Sequence, residues 1–171
     1  MYISDTKIHC RILLETYSIE DCFAYVTDFS DWDTVSNKGT EYSFSPFVAP
    51  TDNSIEFKFN NTTGTRVALG DKTTVNASGY LEWIYAWYFD TNRLYKRTST
   101  NAETYDSLSY TKSTSSVYRI TYSGTTYTIY RDDTVVKTGI TYDVLSLTRY
   151  IRLNSNTLSN ITYMKVKPLS V

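Results

Sequence analysis

Apolar and polar residues alternate with a period of two along most of the chain, and no stretch holds a period of 3.6. A period of two puts successive side chains on opposite faces of an extended strand, so the pattern predicts β-strands half-buried against one core. In "SIEFKFN", Ile55, Phe57 and Phe59 fall on one face and Glu56, Lys58 and Asn60 on the other, as in an antiparallel strand with one solvated side. "YLEWIYAWYFD" is more aromatic, with Leu81, Trp83, Tyr85, Trp87 and Phe89 on one face and Tyr80, Glu82, Ile84, Ala86, Tyr88 and Asp90 on the other. Neither of these faces is simply polar, which predicts a strand in the middle of a sandwich whose outer face is concave and in use. "RLYKRTST" and "SLSYTKST" read as weaker, polar strands near a sheet edge.

The strongest pattern is "SVYRITYSGTTYTIYRDDTVVKTG": Tyr118, Ile120 and Tyr122 alternate up to the turn "SGT", and Tyr127 and Ile129 alternate back out. This predicts a hairpin, with a second hairpin turn at Arg131 to Thr134 before the pair Val135 and Val136. The closing strands are "RYIRLNS", with Tyr150 and Arg152 opposite Ile151 and Leu153, and "NITYMKVKPL", with Met164 and Val166 facing the core. The six glycines all read as turns, at "NKG", "TTG", "LGD", "ASG", "YSGT" and "KTG". Seventeen tyrosines with many threonines and serines suit pleated, half-solvated surfaces and disfavour helix. The expected fold class is all-β, an antiparallel β-sandwich.

The order of these last strands, from "YSGTTYTIYRDDTVVKTG" through "RYIRLNS" to "NITYMKVKPL", resembles the C-terminal half of the concanavalin A-like (laminin-G-like) jelly roll. The resemblance covers residues 116–169 most closely and 54–90 more loosely. At 171 residues the chain is most economically one domain, read as a jelly roll over residues 1–171 with an N-terminal strand and lead-in over 1–30 and the core over 31–171. Modules of this fold bind sugars or proteins on cell surfaces, in adhesins and in virion proteins, and some are glycoside hydrolases. Fold alone does not decide among these. In such modules the turn matching "RDDT" is structural, which makes Asp132 and Asp133 turn formers, since Asp tolerates left-handed geometry and bonds its own backbone. Their alternative role is as calcium ligands, which would require further oxygen donors from other loops.

Charge narrows the partners. Seventeen basic residues stand against eighteen acidic ones, the sequence pI is near 5.8 and no basic run occurs, so the electrostatic footprint of a nucleic-acid binder is missing. The N-terminal "MYISDTKIHCRILLETY" lacks a signal peptide's cationic start and apolar core, and no apolar run approaches a membrane span. The expectation is a chain without export signal or membrane insertion, working outside a cell, at a cell surface or on a virion. Cys10 and Cys22 fit either a disulfide or two buried thiols. Sequons at Asn60, Asn61, Asn76 and Asn160 are expected in a chain so rich in Asn, Ser and Thr.

Catalytic constellations are missing. The hydrolases of this fold carry their acids along one strand as Glu-x-Asp-x-Glu or Glu-x-Asp-x-x-Glu, whereas the aromatic strand here offers Glu82 with Ile84 and Ala86 at the partner positions. "DFSDWDT" gathers Asp28, Asp31 and Asp33, which read as a solvated loop leading into the first core strand and anchored by Trp32. His9, the single histidine, sits in a strand-like stretch with no serine elbow, and one His with two Cys makes a poor zinc site. What remains is aromatic surface, which stacks on the apolar faces of sugar rings. The expected function is a non-catalytic module that recognises glycan or another surface ligand in adhesion or host recognition. A structural or decoration protein of a virion or other assembly, with homo-oligomeric contacts, is the alternative, and a glycoside hydrolase the third reading. The expected ligand-binding residues are Tyr80, Glu82 and Tyr88, with Trp83, Tyr85, Trp87, Tyr95 and Arg97. Trp83 and Trp87 also read as core, no catalytic or metal residues are expected, and no cofactor unless calcium.

Overall fold

The computed structural model describes residues 6–9, 23–75, 79, 81–90, 93–97, 103–105, 110–140 and 149–169. Among these residues the strands are β1 (Thr6–His9), β2 (Phe23–Val26), β3 (Asp33–Asn37), β4 (Thr40–Val48), β5 (Asn53–Phe59), β6 (Thr65–Val75), β7 (Leu81–Phe89), β8 (Leu94–Arg97), β9 (Glu103–Tyr105), β10 (Val117–Ser123), β11 (Thr126–Arg131), β12 (Thr134–Ile140), β13 (Tyr150–Asn154) and β14 (Ile161–Pro168), with a 3-10 turn at Ser155–Asn160. They form two antiparallel sheets, ordered β1-β2-β14-β5-β10-β11-β12 (sheet A) and β3-β4-β13-β6-β7-β8-β9 (sheet B). β2 is hydrogen-bonded to β14, so the sandwich draws on strands before residue 31 as well. Cys10 and Cys22 lie outside the described residues.

The core between the sheets follows the alternation. Ile55, Phe57 and Phe59 from β5, Tyr118, Ile120 and Tyr122 from β10, and Met164 and Val166 from β14 are buried on the inner face of sheet A; Val67, Trp87, Phe89, Ile151 and Leu153 meet them from sheet B. Rings dominate this contact: Phe57 lies 5.3 Å from Phe59 and 5.4 Å from Phe89, both edge-on, the arrangement that ring quadrupoles prefer. Trp32 is buried at the start of β3, edge-on to Phe29 at 5.1 Å, as its reading as an anchor expects.

Three expectations need correction. Tyr110 to Ser113, from the predicted strand "SLSYTKST", has no regular structure: Tyr110 turns into the core against Phe89 and Tyr118, and the buried Lys112 ammonium donates to the Thr63 carbonyl and the Thr65 hydroxyl. β9 supplies the edge strand of sheet B instead. Gly70 and Gly139 lie within β6 and β12, so they are not turn glycines, whereas Gly64 lies in the bend between β5 and β6 as expected. A Cβ on Gly64 or Gly139 would strike the phenol of Tyr88 or Tyr127, so each glycine makes room for a ring.

The third correction concerns β7. Trp87 and Phe89 face the core, but Leu81 packs with Tyr42 and Phe44 in a separate cluster on the outer side of sheet B. The pairing of β6 with β7 breaks between Leu69 and Gly70 and again between Gly70 and Val75. A local cause is Asp71, whose carboxylate accepts both the backbone N–H and the hydroxyl of Thr73 at 2.8 Å, drawing the strand out of its ladder. Lys72 and Leu81, on either side of this break, therefore lie against the outer face of β13 and β4. Lys72 sits over the Tyr150 ring at 4.0 Å and pairs with Asp33 of β3, and the Leu81 carbonyl accepts a hydrogen bond from Arg152 at 3.1 Å. Arg152 is 1% exposed, its guanidinium stacked 3.8 Å from the Tyr42 ring.

Candidate functional site

The outer faces of the two sheets differ in what their described residues leave exposed. On sheet B the middle is closed, with Arg152, Tyr42, Phe44, Ala68 and Ala86 all buried. Of the residues expected to bind ligand, Trp87 is corrected to core: it is 3% exposed and its ring lies 4.4 Å from Tyr127 of the opposite sheet. Tyr88 is half-buried above Gly64, with the Arg66 guanidinium 5.2 Å from its ring centre. Backbone register sets Tyr95 opposite Tyr88, and Arg97 opposite Glu103. Tyr80 lies outside the described residues, as do the side chains of Glu82, Trp83, Tyr85, Tyr95 and Arg97.

Sheet A presents a different surface. Its outer positions are set by register into rows that run across the strands, and one row reads Tyr25, Lys165, Glu56, Arg119, Tyr130 and Val135 on β2, β14, β5, β10, β11 and β12. The next row reads Lys167, Ser54, Thr121, Thr128 and Thr138. A cation, an anion and a cation thus alternate between two tyrosines, beside a row of hydroxyls.

Each charged group in the row is held by its neighbours. The Arg119 guanidinium lies 3.9 Å from the centre of the Tyr130 ring and donates to Asp133 at 2.9 Å. Glu56 accepts from the Tyr163 hydroxyl at 3.1 Å and stands 3.4 Å from the Lys165 ammonium. Lys165 in turn lies 5.8 Å from both the Tyr25 and Tyr163 rings, which are themselves 5.8 Å apart. Burial, then the charge of Glu56, pushes the Tyr163 phenol up to about 12, so it stays a neutral hydroxyl donor at physiological pH.

The turn "RDDT" borders this surface. Asp132 and Asp133 both have positive φ, 48° and 61°, the backbone of a two-residue hairpin turn whose twist matches its strands. Asp132 also ties the turn to β10: its N–H donates to the Val117 carbonyl and its carboxylate accepts the Val117 N–H, both at 2.9 Å. The Val117 N–H, and after it the Ser116 hydroxyl, hold the Asp132 carboxyl below the usual range. Both acids turn the chain, as expected, and Asp133 also helps to build a cleft.

That cleft has a volume of about 410 Å³ and is lined by Ser54, Glu56, Arg119, Asp133, Lys165 and Lys167. A second hollow of about 370 Å³ shares Glu56, Arg119 and Asp133 with it and adds Val117, Tyr130 and Asp132. Sequence reasoning placed Glu56 and Lys58 on a solvated face and went no further, because the row exists only once five strands are set in register.

The two antiparallel sheets form a concanavalin A-like jelly roll. The chain is similar to the carbohydrate recognition domain of Emp47p, with a TM-score of 0.51 and 13% identity, covering 98% of this chain and 97% of that one. It is also similar to the Crh5 transglycosylase in complex with NAG, with a TM-score of 0.49 and 12% identity over 97% of this chain and 79% of that one, and to the family 7 alginate lyase AlgAT5, with a TM-score of 0.44 and 10% identity over 85% and 74%. No protein-family model matches the chain, and a search of curated proteins by sequence finds no match. Among the described residues no helix is long and apolar enough to cross a membrane.

Proposed function

We propose that the protein is a non-catalytic carbohydrate-binding module, serving adhesion or host recognition outside the cell, and that it holds its ligand on the outer face of sheet A. The observation that carries this reading is the row Tyr25–Lys165–Glu56–Arg119–Tyr130. Fixed donors alternate there with a fixed acceptor, and rings stand at both ends. A saccharide presents hydroxyls that both donate and accept, and apolar ring faces that stack on tyrosine, so it can satisfy each of these groups in turn. Because Arg119 and Lys165 are already held by rings and carboxylates, little side-chain entropy is lost on binding. The fold shared with the Emp47p carbohydrate recognition domain fits this use.

Absence of turnover is part of the proposal. The two acids of the cleft each face a cation, Glu56 against Lys165 and Asp133 against Arg119, a setting suited to accepting hydroxyl hydrogens. Tyr163, with its phenol near 12, is a poor nucleophile.

A glycan array run with and without calcium, followed by time-resolved product analysis of every glycan bound, tests the reading. Binding without product is expected, lost in Arg119→Ala and kept in Tyr88→Ala, with circular dichroism showing both variants folded. Loss in Tyr88→Ala alone would move the ligand to sheet B, and release of product would make the protein an enzyme.

A further inference from the structure

Resting on the reading that this face binds glycan, we infer that the preferred ligand is an anionic saccharide, laid across the strands of sheet A with its acid groups against Lys165 and Lys167. The cleft gathers three cations, Arg119, Lys165 and Lys167, against two carboxylates, Glu56 and Asp133. Arg119 is spent on Asp133 and Lys165 on Glu56, whereas Lys167 meets no carboxylate among the described residues. Lys165 and Lys167 are two residues apart on β14, so both side chains leave the same face with roots about 7 Å apart. A ligand carboxylate or sulfate between them would supply the counter-charge that Lys167 lacks and would share Lys165 with Glu56.

The length of the row suits a chain. Tyr25 and Tyr130 stand four strands apart, which is about 19 Å at ordinary strand spacing and spans several sugar rings. Hydroxyls from Ser54, Thr121 and Thr128 flank the path, and Asp133 and Glu56 accept from sugar hydroxyls along it. An acidic peptide such as polyglutamate would satisfy the lysines but has no apolar ring faces to stack on the tyrosines.

Calorimetry decides the matter, with oligogalacturonate against its methyl ester as the carboxylate arm, dextran sulfate against dextran as the sulfate arm, and polyglutamate as the peptide arm. The charged saccharide of at least one arm should bind about tenfold tighter than its neutral counterpart, the arm identifying the acid group, and the preference should shrink as salt screens it. Lys165→Ala/Lys167→Ala should abolish the preference without lowering the melting temperature, and Lys38→Gln, on the β3–β4 turn of the other sheet, should leave it intact. Equal affinity for charged and neutral forms would overturn the anionic preference and leave glycan binding standing. Polyglutamate binding as tightly as the charged saccharide would overturn the saccharide. Failure of every saccharide, neutral ones included, would overturn both this inference and the glycan reading beneath it.

Discussion

Lys112 is a buried cation held by oxygens that carry no formal charge. It is 2% exposed, donates to the Thr63 carbonyl and the Thr65 hydroxyl, and sits 3.8 Å from the centre of the Phe59 ring. Burial lowers its pKa from 10.5 to about 8. Between those values the unfolded chain holds a proton that the folded one has released, so stability rises with pH through this window, by at most about 1.4 kcal/mol per unit. Above pH 10 the sign reverses, because Tyr163, raised to about 12, and Tyr110, raised by burial, keep protons that the unfolded chain gives up. Urea unfolding should therefore show a gain of about 1–2 kcal/mol from pH 7 to 9.5, and Lys112→Met should abolish that gain. A wild-type midpoint that is flat or falling over this range would show that the ammonium is not desolvated as its surroundings imply.

At the level of the element, the β11–β12 turn combines two jobs that substitution can separate. Asp133 has φ of 61° and a side chain that is 92% exposed, so glycine there relieves left-handed strain at the expense of one surface ion pair, which is worth little to stability. Asp133→Gly should thus melt at or slightly above the wild-type temperature while weakening glycan binding, since Arg119 and the cleft lose a carboxylate. A clear drop in melting temperature would mean that the Asp133–Arg119 contact is needed for the fold. Asp132 behaves differently, because its carboxylate ties the turn to Val117. Its lowered pKa means that the stabilisation is present above the unfolded value of 3.8 and is lost as pH falls below it. Asp132→Ala should lower the melting temperature at pH 7 and lessen its decline towards pH 3, whereas Asp132→Asn, which keeps an acceptor oxygen, should stay near wild type at pH 7.

Across the whole molecule, what was legible in the sequence is what depends on local alternation. Ile55, Phe57 and Phe59 announce their buried face within one strand, and "RDDT" announces its turn within four residues. What was not legible depends on distant strands meeting. Lys165, Glu56, Arg119 and Tyr130 become a row only through the pairing of β14 with β5, β5 with β10 and β10 with β11. The displacement of Leu81 follows from a register break that alternation along β7 cannot reveal. Gly139 belongs to this second class. It read as a turn residue, yet it lies in β12 opposite Tyr127, whose ring leans over it and reaches Trp87 of the other sheet at 4.4 Å. The glycine therefore sets how closely the two sheets approach at this end. Gly139→Ala would drive a methyl group into the Tyr127 phenol, and overpacking of this kind costs about 1–3 kcal/mol. Denaturant unfolding should show that loss in Gly139→Ala and a partial recovery in Gly139→Ala/Tyr127→Phe, where the hydroxyl nearest the new methyl is gone. A single variant as stable as wild type would mean that the ring can move aside, and that the contact between the sheets does not depend on the missing side chain.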